Sequence, residues 1–464
     1  MLKIIFLVLM TSGLPVAIAM AGSVLVYIFW TGNLPAFVVV HRMVSGIDSF
    51  PLLAVPFFIL AGNLMNNAGI TNRIFGLALA LVGWLKGGLG HVNVVASMIF
   101  SGMSGTAIAD AAGLGTIEIK AMKEQGYSSE FAAGVTAASA TLGPIIPPSL
   151  PFVIYAMLAN VSVGALFLAG IMPGLLLAAL MMATVSYYAW RNGWGSDTRF
   201  SASRFAKATA ELAVVAGWPV AIWLLIKVGA PPRTTVMVGL VLLFVADRLF
   251  RFQAVLPIMT PVLLVGGMTT GLFTPTEGAI AACLWAMVLG FFWYRTLSLR
   301  VFTRVCLDTV ETTATVLFIV AASSIFAWML TATGVTAAIA QWVLGVTGEP
   351  WLFLLLVNVL MLFVGCFLEP VAAITVLVPI LIPVVQQLGI DPVHFGLVMV
   401  LNLMIGLLTP PVGLVLFIMA RITGMSIERT TMAILPWFVP LLASLAIITY
   451  VPGLFLWLPK MFYP

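Results

Sequence analysis

Charge is what this sequence has least of. Only 8% of its 464 residues are Asp, Glu, Lys or Arg, where a soluble domain carries about a quarter. Apolar residues make up 62%, more than an ordinary soluble fold can hide. Solubility is therefore excluded, and disorder and nucleic-acid binding fall with it. Cysteine is nearly absent: Cys283, Cys306 and Cys366 lie in apolar runs without paired spacing. That excludes a secreted disulfide scaffold and a cysteine metal motif, and leaves inert, buried thiols. Histidine is as scarce. His41, His91 and His394 stand apart, near the ends of apolar segments, where interfacial placement is expected. No His/Asp cluster or Ser-His set of the kind an intramembrane enzyme uses is present in the sequence.

What remains is a chain for the membrane. Long unbroken apolar runs, not short alternating segments, indicate helices and exclude a β-barrel. At about 20 residues per helix, the apolar content allows at most roughly 14 spans. Lys3 and the apolar stretch after it suggest a signal peptide, but the stretch runs on through Trp30, so a retained membrane segment is expected. Basic residues cluster at Arg191 to Lys207, at Arg248 with Arg251, and at Arg295 to Arg304. Two apolar stretches separate each neighbouring pair, which places all three clusters on one face. The positive-inside rule makes that face cytoplasmic. The net charge of +5 thus reports orientation, not an acidic partner. Tryptophans such as Trp84, Trp342 and Trp351 read as interfacial anchors.

The sequence also repeats itself. Ser101 to Phe131 (SGMSGTAIADAAGLGTIEIKAMKEQGYSSEF) matches Val364 to Phe395 (VGCFLEPVAAITVLVPILIPVVQQLGIDPVHF), aligning Gly102 with Gly365 and Gly126 with Gly389. GPIIPPS at Gly143 to Ser149 aligns with GLLTPPV at Gly406 to Val412, and FILAGNLMNNAGIT at Phe58 to Thr71 resembles Phe318 to Thr336. Four blocks in one order indicate a duplication. The expected division is a first repeat over 1–190, a connector over 191–252 and a second repeat over 253–464. The connector holds the most polar run of the chain, RNGWGSDTRFSASRFAK; a plain cytoplasmic loop is the competing reading.

Duplicated halves point to a secondary transporter whose site lies where the repeats meet. Each half carries an apolar segment interrupted at its centre, about 91–124 and about 351–388, which fits a hairpin entering and leaving on one side. Each then carries a helix interrupted by Pro-Pro, about 130–158 around Pro147-Pro148 and about 394–422 around Pro410-Pro411. Proline removes a donor and clashes with the preceding turn, so these helices break in mid-membrane. Free carbonyls and amides there must line a cavity or bind something. A sodium ion is served by such carbonyls and nearby hydroxyls, and half-helix N-termini can meet a carboxylate. Ser101, Ser104, Thr106, Ser139, Thr141 and Ser149 lie near the first breaks, Thr375 and Thr409 near the second. The competing reading is that they satisfy their own helix backbones. Three acids stand in apolar context: Asp110, Glu277 and Glu369. Glu277, after the TPT of GLFTPTE, equally suits a helix cap; Asp110 equally suits a structural role.

The ordered set SGMSGTAIADAAGLG, MKEQGY, GPIIPPS, GLFTPTE, GIDPVHFG and TPPVG closely resembles the large membrane subunit of tripartite ATP-independent periplasmic (TRAP) transporters, the DctM-like family, over nearly the whole chain. The resemblance implies an all-α polytopic inner-membrane permease with inverted repeats, two re-entrant hairpins and an elevator mechanism. It implies Na+ as the coupling ion, no organic cofactor or transition metal, and an organic-acid substrate. It further implies two partners, a small DctQ-like membrane subunit and a periplasmic DctP-like binding protein. Carried over by position, one sodium site falls on Ser101, Ser104, Gly105 and Thr106 with Gly143 and Pro147. A second falls on Gly365 and Glu369 with Thr409, Pro410 and Gly413. Substrate lies between the tips, at Ser104, Thr106, Ser149, Glu369 and Thr375. Glu369 stands where the family commonly has Asp, Thr106 where Ser is usual, and Val415 where an Asn is frequent. A self-sufficient sodium/anion symporter is the alternative, and an intramembrane enzyme a remote one.

Overall fold

The computed structural model describes all residues except 1, 33, 229, 230, 251, 253, 270, 271, 336, 337, 339, 340, 342–344, 346, 411, 412 and 464. Among the described residues every element is helical, and a single bridge, Lys86 to Ser196, is the one extended pairing. Among the described residues five helices are long and apolar enough to cross a membrane: Val163–Arg191, Pro275–Trp293, Leu299–Ala332, Pro370–Gln387 and Ile427–Tyr450. Arg251, Gly271, Thr336, Trp342, Pro411 and Val412 lie outside the described residues.

Local chemistry sets the helix starts. Ser128, Ser149, Ser162, Ser298 and Ser426 each accept a hydrogen bond from the backbone N–H three residues on, and Asp391 accepts from Val393 at 2.8 Å. Pro350, Pro370 and Pro392 occupy first helical positions, where the missing N–H is no loss. Glu277 forms a reciprocal capping box with Thr274 and lies exposed, so capping is its role in this fold.

Two short helices end at breaks. Ser129–Ala140 is followed by a turn over 141–149 and then Leu150–Ala159; Pro392–Gly406 is followed by a turn and then Leu414–Thr423. Beside them stand two helix–turn–helix pairs. Gly88–Ser104 connects through a tight segment to Gly115–Glu124, and Pro350–Gly365 connects through Cys366–Leu368 to Pro370–Gln387. Gly88–Ser104 packs on Ser129–Ala140, Pro350–Gly365 on Pro392–Gly406, and Leu150–Ala159 on Pro370–Gln387. Outside this group, Leu299–Ala332 packs against Ala54–Asn67, Val16–Thr31 and Phe37–Ile47, and also touches Pro370–Gln387.

The polar stretch after Arg191 is docked, not free. Asp197 accepts from the Leu89 backbone N–H at 2.7 Å and from the Tyr127 hydroxyl at 2.7 Å. Gly87 donates to the Gly195 carbonyl at 2.9 Å. Asp197 therefore caps the Gly88–Ser104 helix from a distant part of the chain, with its charge at the positive end of that helix. Burial and this carboxylate hold the Tyr127 phenol well above the usual tyrosine range. Asp197→Ala removes both bonds at once. Thermal unfolding of the purified protein should show a loss of about 2 kcal/mol; an unchanged midpoint would remove Asp197 from this role.

Candidate functional site

The first turn is shaped by glycine. Gly105 ends the Gly88–Ser104 helix with φ +63°, and a Cβ there would lie 2.7 Å from the Pro148 carbonyl oxygen. A Cβ on Gly143 would lie 2.8 Å from the Thr106 carbonyl oxygen. The turn and the first broken helix thus touch backbone to backbone, which only glycine allows. Thr106 is extended, and its hydroxyl accepts from Ala109 N–H at 3.3 Å. The Ser104 hydroxyl is buried and has no hydrogen-bond partner.

The second turn repeats the device. A Cβ on Gly406 would lie 2.6 Å from the Gly365 Cα. Glu369 precedes the Pro370–Gln387 helix in extended conformation, and its side chain makes no capping bond. Gly413 has φ +30° and sits against the Thr409 carbonyl oxygen, while the Thr409 hydroxyl bonds the Ile405 carbonyl at 3.0 Å.

Between these turns lies a cavity of about 360 Å³, within the size range of small-molecule sites. Ser104 and Thr106 line it from the first turn and Glu369 with Pro370 from the second. Pro144 and Leu407 contribute from the two breaks. Asn63 and Asn66 enter from the Ala54–Asn67 helix, and Thr312 from Leu299–Ala332.

Of the residues singled out from sequence, Ser104, Thr106 and Glu369 reach this cavity. Gly105, Gly143 and Pro147 are packed behind the first turn, and Gly365, Thr409, Pro410 and Gly413 form the second turn and break. Three point elsewhere. Ser149 is fully buried, bonded to the Pro144 carbonyl at 2.5 Å, and caps its own helix. The Thr375 hydroxyl bonds the Ala372 carbonyl at 2.8 Å inside its helix. The Ser101 hydroxyl bonds the Ser97 carbonyl at 2.5 Å. For all three the backbone-satisfying reading describes the side chain, because a buried hydroxyl bonds the nearest carbonyl one turn back. His91 and His394 lie near segment ends, as read from the sequence. Each stands in the first turn of its helix but is only 3% exposed, and a His394 ring nitrogen lies 2.8 Å from the Ile448 carbonyl. His41 alone is exposed.

Sequence reasoning missed Glu118 and Asn93. The Asn93 amide nitrogen donates to Glu118 Oε2 at 2.6 Å and to the Thr136 hydroxyl at 2.8 Å, and its oxygen accepts from Ser139 at 2.8 Å. This network joins Gly88–Ser104, Gly115–Glu124 and Ser129–Ala140 behind the first turn. Asp110 is 1% exposed, and neither of its carboxylate oxygens accepts a hydrogen bond. Among the described residues no group of three His, Cys, Asp or Glu has the arrangement of a metal centre.

Comparison with known proteins shows the family of the chain. The chain is 40% identical over 454 residues to the sialic acid TRAP transporter large permease protein SiaM of Vibrio cholerae, covering 98% of this chain and 96% of that one. It is 34% identical to the C4-dicarboxylate TRAP transporter large permease protein DctM of Rhodobacter capsulatus, covering 98% of each. Its fold is similar to the Alcanivorax borkumensis YdaH transporter, described as having an unusual topology, with a TM-score of 0.59, 14% identity, and coverage of 91% of this chain and 88% of that one. The family profile described as "Tripartite ATP-independent periplasmic transporter, DctM component" matches residues 3–454. The chain therefore belongs to the DctM component family of tripartite ATP-independent periplasmic transporters, a multi-pass inner-membrane permease and not an enzyme.

Proposed function

We propose that this permease drives uptake of an organic acid with a sodium gradient, by an elevator movement. The observation that carries this reading is the cavity between the two turns, where Ser104, Thr106 and Glu369 converge from separate halves of the chain. Interrupted helices expose backbone groups, and in a membrane such groups are tolerated where they line a cavity or bind an ion. One sodium ion is held by carbonyls and hydroxyls of Ser101 to Thr106 with Gly143 and Pro147, the other by Gly365 and Glu369 with Thr409, Pro410 and Gly413. The two helix–turn–helix pairs act as re-entrant hairpins and travel with the broken helices. The helices that pack around Leu299–Ala332 stay fixed. In this reading residues 1–190 and 253–464 are the two repeats, with 191–252 connecting them.

The relatives are named for sialic acid and C4-dicarboxylate, both carboxylates, which supports an organic acid here. Their description as large permease proteins of a tripartite system supports a small membrane subunit and a periplasmic binding protein that delivers substrate. Replacing Ser104 or Thr409 by Leu tests the sodium sites. Each variant should weaken the sodium dependence of uptake about tenfold or more while membrane abundance falls less. Wild-type sodium affinity in both variants would remove these turns from ion binding.

A further inference from the structure

A second polar cavity lies apart from the two turns. It has a volume of about 440 Å³ and is lined by Arg73, Asp247, Arg248, Phe252, Trp293 and Tyr294. Three distant parts of the chain build it: the start of Ile70–Val82, the end of Pro232–Phe250, and the turn that follows Trp293. Thr296, in that turn, bonds the Ala68 carbonyl at 2.8 Å and so ties it to the start of Ile70–Val82. Arg248 and the run Arg295 to Arg304 belong to the basic clusters that the positive-inside rule puts at the cytoplasmic face. The cavity therefore lies at the headgroup level of the inner leaflet.

Its charged groups are not paired with one another. The Arg73 guanidinium lies 3.9 Å from the centre of the Tyr294 ring. Among the described residues neither Arg73 nor Arg248 makes an ion pair. Asp247 is 8% exposed and accepts from Trp293 Nε1 on Oδ2 at 2.9 Å, while its Oδ1 is buried without a partner. The Tyr294 hydroxyl is buried without one too. Such groups are costly unless an occupant satisfies them.

The lining asks for both signs of charge. Two guanidiniums suit a phosphodiester, which accepts their forked N–H donors. A phosphate alone would leave Asp247 unpaired beside it. An ammonium on the same ligand meets that carboxylate oxygen and is favoured by the neighbouring aromatic faces. Exposed Leu249, Phe250 and Phe292 flank the cavity residues, so apolar chains attached to such a headgroup have a surface to lie on. Basic pockets between helices on this side of a membrane hold lipid headgroups.

We propose that this cavity is a phospholipid site, in which Arg73 and Arg248 hold the phosphodiester of phosphatidylethanolamine and Asp247 holds its ammonium. Ile70–Val82 packs on Gly88–Ser104, so the lipid anchors the segment that leads into the first helix–turn–helix pair.

The test is native mass spectrometry of the delipidated permease with its small subunit. The probes are phosphatidylethanolamine, phosphatidylglycerol with the same acyl chains, and soluble glycerophosphoethanolamine. Phosphatidylethanolamine should bind about fivefold more tightly than phosphatidylglycerol. Arg73→Gln should weaken it about tenfold. Asp247→Asn, close in shape, should reverse the order of the two lipids, and its binding of phosphatidylglycerol reports that the cavity is intact. Equal binding of the two lipids by the unaltered complex would overturn the ammonium assignment, as would an unchanged order in Asp247→Asn. Lipid binding untouched by Arg73→Gln would overturn the site, including the case in which the small subunit covers it. Glycerophosphoethanolamine binding as tightly as the lipid would replace the lipid with a soluble ligand.

Discussion

Gly105→Ala should remove most sodium-dependent uptake. Two penalties fall on one methyl group. The residue sits at φ +63°, where an L side chain is disfavoured by about 1–2 kcal/mol. The new Cβ would also lie 2.7 Å from the Pro148 carbonyl oxygen, a backbone atom that cannot swing aside, and such overpacking costs about 1–3 kcal/mol. If the first turn must sit against the broken helix to hold its ion, the combined cost of about 2–5 kcal/mol weakens sodium binding by at least about thirtyfold. Gly126→Ala separates the two penalties. Gly126 has φ +84° but nothing within 4 Å of its Cβ position, so it carries the conformational strain without the clash. It should lower stability slightly and leave the sodium dependence of uptake unchanged. Equal effects of the two variants would show that strain alone matters, and that contact between turn and broken helix does not.

The largest stability effect is expected from Asn93→Leu. One amide joins Glu118, Thr136 and Ser139, all of them 1% exposed or less. Removing it strands a buried carboxylate oxygen and the Thr136 hydroxyl, while Ser139 keeps the Ser97 hydroxyl and the Thr136 carbonyl. A single unsatisfied buried group costs about 1–3 kcal/mol, and a charged one more, so a loss of about 3–5 kcal/mol is expected. Thr136→Val removes one acceptor only and should cost about 1 kcal/mol. Thermal unfolding of both purified variants measures the ratio. Asn93→Leu falling no further than Thr136→Val would mean the three bonds do not act as a unit.

Several features of the fold were legible because the membrane leaves few choices. Scarce charge demanded helices, since only helices satisfy every backbone group within one segment. Pro147 and Pro148 announced a break because proline withholds the donor a helix needs, and the Ser129–Ala140 helix does stop before them. The competing cap reading of Glu277 was visible in TPTE, a capping-box spacing that the Thr274–Glu277 pair adopts.

The cavity was less legible. Asn63 and Asn66 lie in NLMNNAG and served only as part of a repeated block. Nothing in their spacing says that Leu299–Ala332 and the first turn close a cavity over them. Glu118 was overlooked because Lys120 and Lys123 follow it, so the run reads as a solvated face. The lysine side chains do extend outward, while Glu118 turns inward to Asn93 one helix away. Thr375 runs the other way. Its hydroxyl looked available near an interruption, yet a carbonyl of its own helix lies within reach. In each case the deciding partner is close in space and distant in sequence, or is the backbone itself.

The most direct test of sodium-driven organic-acid uptake is a reconstitution. The permease and its small subunit are placed in proteoliposomes, the cognate binding protein and the labelled organic acid it binds are supplied outside, and an inward sodium gradient is imposed or withheld. Accumulation should occur with the gradient and the binding protein together and fall to background when either is missing. Equal accumulation in the absence of sodium would contradict sodium coupling.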